Sequence, residues 1–155
     1  MSSHRRTALI TGASAGIGAT FARFLAAQGY DLLLVARRAE RLQELAKELT
    51  QQYGIQCAVF AADLTDKQAP SAIINFAKQQ GIVIDMLINN AGLSGKTAFA
   101  DTPWQDLANE IQLMITAVTE LAYRVIPDMK QQGWGRIINL SSLAAFSPPG
   151  ASLLY

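Results

Sequence analysis

The chain has 155 residues, a common length for one domain with a single hydrophobic core. Half of the residues are apolar, 16% are charged and the formal net charge is +1, so we expect no nucleic-acid partner, which would need a basic face. Cys57 and His4 are the only residues of their types, which excludes an intramolecular disulfide and leaves a metal site without its usual ligands. The lack of a membrane-length apolar run and of a signal-peptide core predicts no membrane partner and, by default, a cytoplasmic location.

The first part of the chain alternates between strand and helix. A short β-rich run, TALIT at 7–11, is followed by the glycine-rich turn GASAGIG and by a helical pattern that ends at Gly29. The next strand is DLLLVA at 31–36, and the amphipathic helix after it ends at Gly54. Two βα units are therefore predicted before residue 55.

The same alternation continues in the middle of the chain. QCAVFAAD at 56–63 predicts a third strand, and residues 65–81 predict a third helix with Thr65 as its cap. IDMLINNAG at 84–92 then predicts a fourth strand that runs into a glycine turn.

A long helix and a fifth strand complete the pattern. Thr102 and Pro103 are predicted to open the helix as its cap and first-turn proline, and Pro127 predicts a kink further along. GRIINLSS at 135–142 predicts the fifth strand. Apolar strands that alternate with helices indicate an α/β fold, a parallel sheet covered on both faces, within one domain over residues 1–155.

The glycine-rich turn lies where the first strand meets the first helix. Gly12, Gly16 and Gly18 leave backbone N–H groups and the positive end of the helix dipole accessible at this junction, where a phosphate fits. The alternative is a tight turn with three chance glycines, but the βαβ context favours a dinucleotide site. No Lys-Ser/Thr pair follows the last glycine, which disfavours a nucleoside-triphosphate loop.

Three motifs together resemble the short-chain dehydrogenase/reductase family. They are TGASAGIG at the first turn, NNAG at 89–92 after the fourth strand, and GRIINLSS at the fifth strand. The resemblance implies a three-layer, doubly wound Rossmann sheet with strand order 3-2-1-4-5 that lacks the family's C-terminal strands. It also implies that residues 1–155 are an NAD(P)-binding domain, the N-terminal part of a longer family domain.

The end of the second strand bears on the choice of cofactor. A NAD-preferring Rossmann protein carries an acid there for the ribose hydroxyls, whereas this chain has Ala36 followed by Arg37 and Arg38. Guanidinium groups suit a 2′-phosphate, so NADP(H) is favoured over NAD(H). The alternative is that both arginines only start the next helix as solvated surface.

The resemblance also implies roles for the other residues of the cofactor site. Asp63, with Leu64 beside it, matches the family's acid at the adenine, although a helix-capping role for Asp63 is an equal alternative. Residues 90–92 would run past the ribose, while Asn89 would brace the strands. The residues predicted to bind the cofactor are Gly12, Ser14, Ala15, Gly16, Ile17, Gly18, Arg37, Arg38, Asp63, Leu64, Asn90, Ala91 and Gly92.

The family's catalytic serine and tyrosine are matched by Ser142 and by Tyr155, thirteen residues later. The family's lysine, which lowers the pKa of the tyrosine, would fall at position 159, beyond the last residue of the sequence. Met114 stands where the family has a relay asparagine, and Asn109 lies about one turn too early to replace it. A methionine forms no strong hydrogen bond, so we predict no catalytic asparagine.

The leading interpretation is an NADP(H)-dependent oxidoreductase that transfers hydride between nicotinamide and a small-molecule alcohol or carbonyl substrate. The alternative is a catalytically impaired dinucleotide-binding fragment or scaffolding module, which Met114 and the missing lysine favour and Ser142 and Tyr155 oppose. A methyltransferase also has a glycine turn after its first strand, but NNAG and the arginines disfavour it. An apolar fifth strand at the sheet edge predicts self-association as a homo-oligomer.

Overall fold

A computed structural model describes residues 5–93 and 99–146. Its sheet has five parallel strands in the order β3-β2-β1-β4-β5, which confirms the fold class and the strand order that the sequence predicts. The strands are β1 Thr7–Thr11, β2 Asp31–Ala36, β3 Cys57–Ala61, β4 Met86–Asn89 and β5 Arg136–Asn139. Because all five are parallel, their carboxyl ends meet along one edge of the sheet.

Helices cover both faces of the sheet. Buried side chains of α1 and α2 share one apolar cluster with one face of the strands, and those of α3 and α5 share a second cluster with the other face. The helices are α1 Gly16–Ala27, α2 Ala39–Tyr53, α3 Ala69–Gln79, α4 Trp104–Ile111 and α5 Ala117–Gln132. Within the described ranges, no helix is both long and apolar enough to cross a membrane.

Strand β2 shows how one apolar run serves both clusters. Leu32 and Leu34 belong to the cluster with α1 and α2, whereas Leu33 and Val35 belong to the cluster with α3 and α5. Successive side chains of a strand point to opposite faces, so a continuous apolar run is needed where both faces are covered. This expectation holds for β1, β2 and β4. It is met only in part by β3, which is half-buried with Ala61 exposed, and it is wrong for β5, whose residues are mostly exposed.

The predicted ends of the first two helices are confirmed, and the predicted start of the third is wrong. Gly29 and Gly54 follow α1 and α2 with positive φ angles of 80° and 64°, which glycine adopts without strain. Helix α3 begins only at Ala69, with Pro70 in its first turn. Thr65 therefore does not cap it, because its N–H and hydroxyl groups donate to Asp63 instead.

The predicted long helix contains an irregular turn. Between α4 and α5, residues 112–116 form a π-helical turn, and α5 then continues past Pro127 to Gln132. Pro103 directly precedes α4, so it occupies the cap position that the sequence predicts for Thr102. The π-helical turn places Leu113 and Met114 beside the carboxyl edge of the sheet, where both line cavities.

Candidate functional site

The carboxyl edge of the sheet opens into a cleft of about 340 Å³. The turns that follow β1, β2, β3 and β4 form its walls, and Leu113 closes one side. Open α/β sheets bind ligands at this edge, where neighbouring connections leave it in opposite directions. The cleft is lined by Gly12, Ser14, Ala15, Ile17, Val35, Ala36, Arg37, Arg38, Ala62, Asp63, Leu64, Thr65, Asn90, Ala91, Gly92, Leu93 and Leu113.

The side chain of Asn90 packs into the glycine turn. Its Nδ2 donates to the carbonyl oxygens of Thr11 and Gly12, at 3.0 and 3.3 Å. A Cβ atom on Gly12 would lie 2.7 Å from this nitrogen, and one on Gly18 would meet it at 2.5 Å as well as overlapping the Gly12 carbonyl oxygen. Two of the three glycines are therefore required by the close packing of the turn itself.

Gly16 differs from the other two glycines because, apart from its chain neighbours and the backbone of its own helix, no described atom lies within 4 Å of the position its Cβ would take. It is the first residue of α1 and has a φ of 54°. In the described chain, the first turn of α1 has no acidic side chain and no side-chain cap. Its leading N–H groups are thus available to an anion that approaches the open side of the turn.

Thr11 connects the glycine turn to the segment after β4. Its buried hydroxyl oxygen accepts hydrogen bonds from the backbone N–H groups of Asn90 and Ala91, at 3.0 and 3.1 Å. The same hydroxyl donates to the carbonyl oxygen of Ile88 at 3.3 Å. One side chain therefore fixes the relative position of two segments that line the cleft.

Two arginines lie at the mouth of the cleft, after β2. Arg38 Nη2 donates to Ser14 Oγ at 3.1 Å, which links the end of β2 to the glycine turn. Arg37 Nη1 lies 3.9 Å from Asp63 Oδ2, and the two side chains are 74% and 45% exposed. The guanidinium groups therefore reach across the cleft in opposite directions and remain accessible to an anion between them.

A second cavity, of about 290 Å³, adjoins the first and shares Ile17 and residues 90–92 with it. Ser142 and Met114 lie on its walls, together with Asn139. The cleft therefore continues from the arginines to the predicted catalytic serine.

Asn89 joins the ends of β4 and β5 within this second cavity. Its Nδ2 donates to Asn139 Oδ1 at 2.9 Å, which is the bracing contact that the sequence predicts. Asn89 is buried, and no described residue donates to its Oδ1 atom. A buried amide oxygen without a donor lowers stability, whereas the nitrogen of the same amide is satisfied by Asn139.

The structure brings most of the predicted cofactor residues together. Gly16 and Gly18 are the exceptions, since neither lines the cleft: Gly16 is exposed beside it and Gly18 is buried beneath the turn. Ser142 lies in the adjoining cavity, and Tyr155 lies outside the described residues. The predicted cofactor residues that line the cleft are Gly12, Ser14, Ala15, Ile17, Arg37, Arg38, Asp63, Leu64, Asn90, Ala91 and Gly92.

Three polar residues that organise the site are not evident as such from the sequence. Thr11 and Asn139 were predicted only as members of a strand and of the motifs TGASAGIG and GRIINLSS, with no individual role, and Thr65 only as a helix cap. A signal existed for Thr65, because a threonine two residues after an aspartate is typical of a side-chain turn. In the described ranges, no group of three His, Cys, Asp or Glu side chains is arranged to hold a metal ion.

Comparison with known proteins identifies the family. The sequence profile of the short chain dehydrogenases matches residues 6–155, and the chain therefore belongs to this oxidoreductase family. A fatty acyl-CoA reductase from Acinetobacter baylyi is 38% identical over 92% of this chain and 48% of its own length. A very-long-chain 3-oxoacyl-CoA reductase from Anas platyrhynchos is 34% identical over 96% of this chain and 48% of its own length.

A similar fold occurs among solved structures. A short-chain dehydrogenase from Sphingobium yanoikuyae, in complex with NADPH, superposes with a TM-score of 0.89 and 39% identity. The match covers 97% of this chain and 58% of that protein. The chain thus spans about half the length of the curated relatives it matches.

Proposed function

We propose that this chain binds NADP(H) in the carboxyl-edge cleft and forms part of an oxidoreductase that acts on an alcohol or carbonyl substrate. The observation that carries the proposal is the hydrogen bond from Arg38 to Ser14. It lies beside the N-terminus of α1, where the space next to Gly16 is unfilled. An anion-binding turn and a second cationic group at one cleft suit a ligand with two separate phosphate positions. The Sphingobium yanoikuyae relative, described in complex with NADPH, supports the same cofactor.

The absence of an acid at the end of β2 supports NADP(H) rather than NAD(H). Ala36 is buried and closes the strand, and the charged groups that follow it are Arg37 and Arg38. A carboxylate there would accept hydrogen bonds from free ribose hydroxyls but would repel a 2′-phosphate. The guanidinium groups have the opposite preference.

In the reaction, Ser142 and Tyr155 would act on the substrate oxygen. The bound cofactor would supply the hydride acceptor or donor. Ser142 lies in the cavity that continues the cleft, so its position agrees with a role beside the reacting end. We propose further that residues 1–155 are the N-terminal part of a longer catalytic domain.

A second function, a dinucleotide-binding module without chemistry, is favoured by one observation. Met114 lies on the wall of the Ser142 cavity, where a thioether offers no strong hydrogen bond. Binding measurements alone would not separate the two functions. Turnover of NADPH with a panel of aldehydes and ketones by the protein made from its natural reading frame would favour the oxidoreductase.

The cofactor proposal is tested by titrating the 155-residue chain with NADPH and with NADH, following the fluorescence of the reduced nicotinamide. We expect tighter binding of NADPH, and Arg38→Gln should weaken NADPH binding by about tenfold while leaving NADH unchanged, because a charged contact to phosphate is lost. Arg41→Gln is the matched control, since Arg41 is exposed on α2 and does not line the cleft. Equal affinity of the parent chain for both dinucleotides would contradict the preference.

A further inference from the structure

We propose that Arg6 is a positioning residue for Ser142, because its guanidinium group stacks on Trp134 and thereby fixes the register of the edge strand β5. Arg6 directly precedes β1, so it lies at the amino edge of the sheet, opposite the cleft. The part of the inference that concerns Ser142 rests on the proposed reaction, whereas the fixing of β5 does not.

Burial does not determine the register of β5. The strand has four residues, of which Ile137 is half-buried while Arg136, Ile138 and Asn139 are exposed. In the described sheet it pairs only with β4. A strand without a buried face is prone to slip along its partner. A slip of one residue would move the segment that carries Ser142 by about 3.3 Å.

Two hydrogen bonds hold the carboxyl end of β5 to β4. Asn89 Nδ2 donates to Asn139 Oδ1 at 2.9 Å, and Leu140 N donates to the carbonyl oxygen of Asn89 at 2.9 Å. Both contacts involve the last residue of β4. They therefore leave the amino end of β5 to be fixed by other groups.

Trp134, two residues before β5, anchors this amino end. Its N–H donates to the carbonyl oxygen of Met129 at 3.1 Å, and its side chain packs against the apolar cluster of α1 and α2. Arg6 Cζ lies over the indole ring, 3.8 Å from its centre, where the face of the ring attracts a cation. Arg136 Cζ is 5.7 Å from the same centre, but Arg136 belongs to β5 and cannot connect the strand to β1.

The backbone on either side of Arg6 is held by the inner strands. Asp31 N donates to the carbonyl oxygen of Arg6 at 2.9 Å, and Thr7 N donates to Asp85 Oδ2 at 2.8 Å. The carbonyl oxygen of Asp85 in turn accepts from Arg136 N at 3.1 Å. The main chain of Arg6 is thus fixed, and its side chain transmits this position to the start of β5.

Arg5, the preceding residue, contacts different elements. Its Nη1 donates to Asp31 Oδ1 at 3.3 Å and to the carbonyl oxygen of Gly54 at 2.9 Å. These partners lie at the start of β2 and directly after α2, across β1 from β5. The two neighbouring arginines therefore form a matched pair of positions for substitution.

The first experiment measures amide hydrogen exchange by NMR in the 155-residue chain. The reporters are the amides of Arg136 and Leu140, whose acceptors lie at the two ends of β4. We expect Arg6→Gln to speed the exchange of both by about fivefold, and Arg6→Lys, which keeps a cation, to retain most of the protection. Arg5→Gln is the control and should leave both rates unchanged. No acceleration by Arg6→Gln, or an equal acceleration by Arg5→Gln, would overturn the inference.

A second substitution tests whether Arg6 acts through Trp134. Trp134→Leu removes the ring but keeps an apolar side chain, and by itself it should speed the exchange of the β5 amides. Adding Arg6→Gln to this variant should then have little further effect. Fully additive effects would show that Arg6 acts by another route and would overturn the inference.

The link to Ser142 is tested on the enzyme made from the natural reading frame, by steady-state reduction of aldehydes and ketones with NADPH. We express kcat per NADPH-binding site, so that an unfolded fraction does not contribute. Arg6→Gln should lower kcat by about tenfold and leave the KM for NADPH unchanged, because a displaced serine slows the reaction without altering the cofactor cleft. Arg6→Lys should restore most of kcat, and Arg5→Gln should change neither constant.

The outcomes separate the inference from the function on which part of it rests. If the parent enzyme reduces no aldehyde or ketone, the proposed function fails and the assignment to Ser142 fails with it, while the exchange rates still decide whether Arg6 fixes β5. If the parent is active and Arg6→Gln keeps its kcat, only the inference is overturned.

Discussion

Gly16 and Gly18 belong to the same turn but are required for different physical reasons. A methyl group on Gly18 would overlap the carbonyl oxygen of Gly12 and the amide of Asn90. A methyl group on Gly16 would meet no described atom, and its cost is the left-handed φ of 54°. We therefore expect Gly18→Ala to lower the free energy of unfolding by about 3 kcal/mol and Gly16→Ala by about 1 kcal/mol.

Urea denaturation followed by circular dichroism measures both changes, and each glycine variant serves as the control for the other. Equal losses of stability would contradict the assignment of packing to Gly18 and of backbone conformation to Gly16. NADPH titration of the Gly16→Ala protein adds a second comparison. The proposed phosphate site predicts weaker binding, because the added methyl group stands at the open side of the turn.

Cys57, at the start of β3, is predicted to be chemically inert. Burial, and then the negative charge of Asp31, raise the pKa of its thiol to about 12. An ordinary thiol with a pKa of about 8.5 is substantially ionised at pH 8, and only the thiolate is nucleophilic. Iodoacetamide should therefore alkylate the folded chain at pH 8 at least about 100-fold more slowly than the urea-unfolded chain.

The sign of the pH dependence follows from the raised pKa of Cys57. The folded thiol keeps its proton while the unfolded thiol loses it above about pH 8.5, so stability falls as the pH rises beyond that value. Cys57→Ala should abolish this part of the alkaline loss. A folded-state alkylation rate that reaches a plateau near pH 9 would contradict the raised pKa.

At the scale of elements, α1 and α2 are joined by a two-pronged ion pair. Arg23 Nε and Nη2 donate to Glu48 Oε1 and Oε2 at 2.9 and 3.0 Å. This hydrogen bonding from Arg23 lowers the pKa of Glu48. Both side chains are about half exposed, at 50% and 45%, so solvent screening limits the contribution to about 0.5 kcal/mol.

A lowered pKa of Glu48 means that its contribution to stability is present above about pH 4.3 and is lost as the pH falls through the folded-state value. Glu48→Gln should therefore cost about 0.5 kcal/mol at pH 7 and nothing at pH 3, as measured by urea denaturation. Glu44→Gln, at an exposed position of the same helix, is the control. A cost that persists unchanged at pH 3 would show that packing, rather than charge, is responsible.

Elements with local signals were predictable from the sequence. Gly29 and Gly54 end their helices because glycine adopts a positive φ freely. A single glycine in the sequence is therefore enough to predict each helix end. The inner strands were also predictable. Because helices cover both of their faces, these strands consist of continuous apolar residues that are easily found in the sequence. The strand order, in contrast, came from the resemblance of the motifs to a family rather than from periodicity.

Contacts between distant parts of the chain were not predictable in the same way. The Thr11 hydroxyl meets Asn90 and Ala91 across 79 and 80 positions of sequence, so no local pattern reveals it. The π-helical turn at 112–116 is likewise not predictable, because its residues are of types that also occur in ordinary α-helices. Pairing across the sheet and packing against it determine such features, and these depend on the assembled fold.

At the scale of the whole molecule, β5 leaves one edge of the described sheet without a neighbouring strand. Its backbone groups on that side can pair with another chain, and Ile138 is 36% exposed there. We expect the 155-residue chain to self-associate through this edge. Analytical ultracentrifugation over a range of concentrations should detect species larger than a monomer.

Substitution separates this edge from one other exposed apolar surface, that of Tyr123 and Ile126 on α5. Ile138→Lys places a charge on the edge strand and should shift the chain towards monomer, because burial of the charge would oppose pairing. Tyr123→Lys, at a helix position that is 75% exposed, should leave the association unchanged. The reverse result would assign the interface to α5, and a monomer at every concentration would contradict self-association altogether.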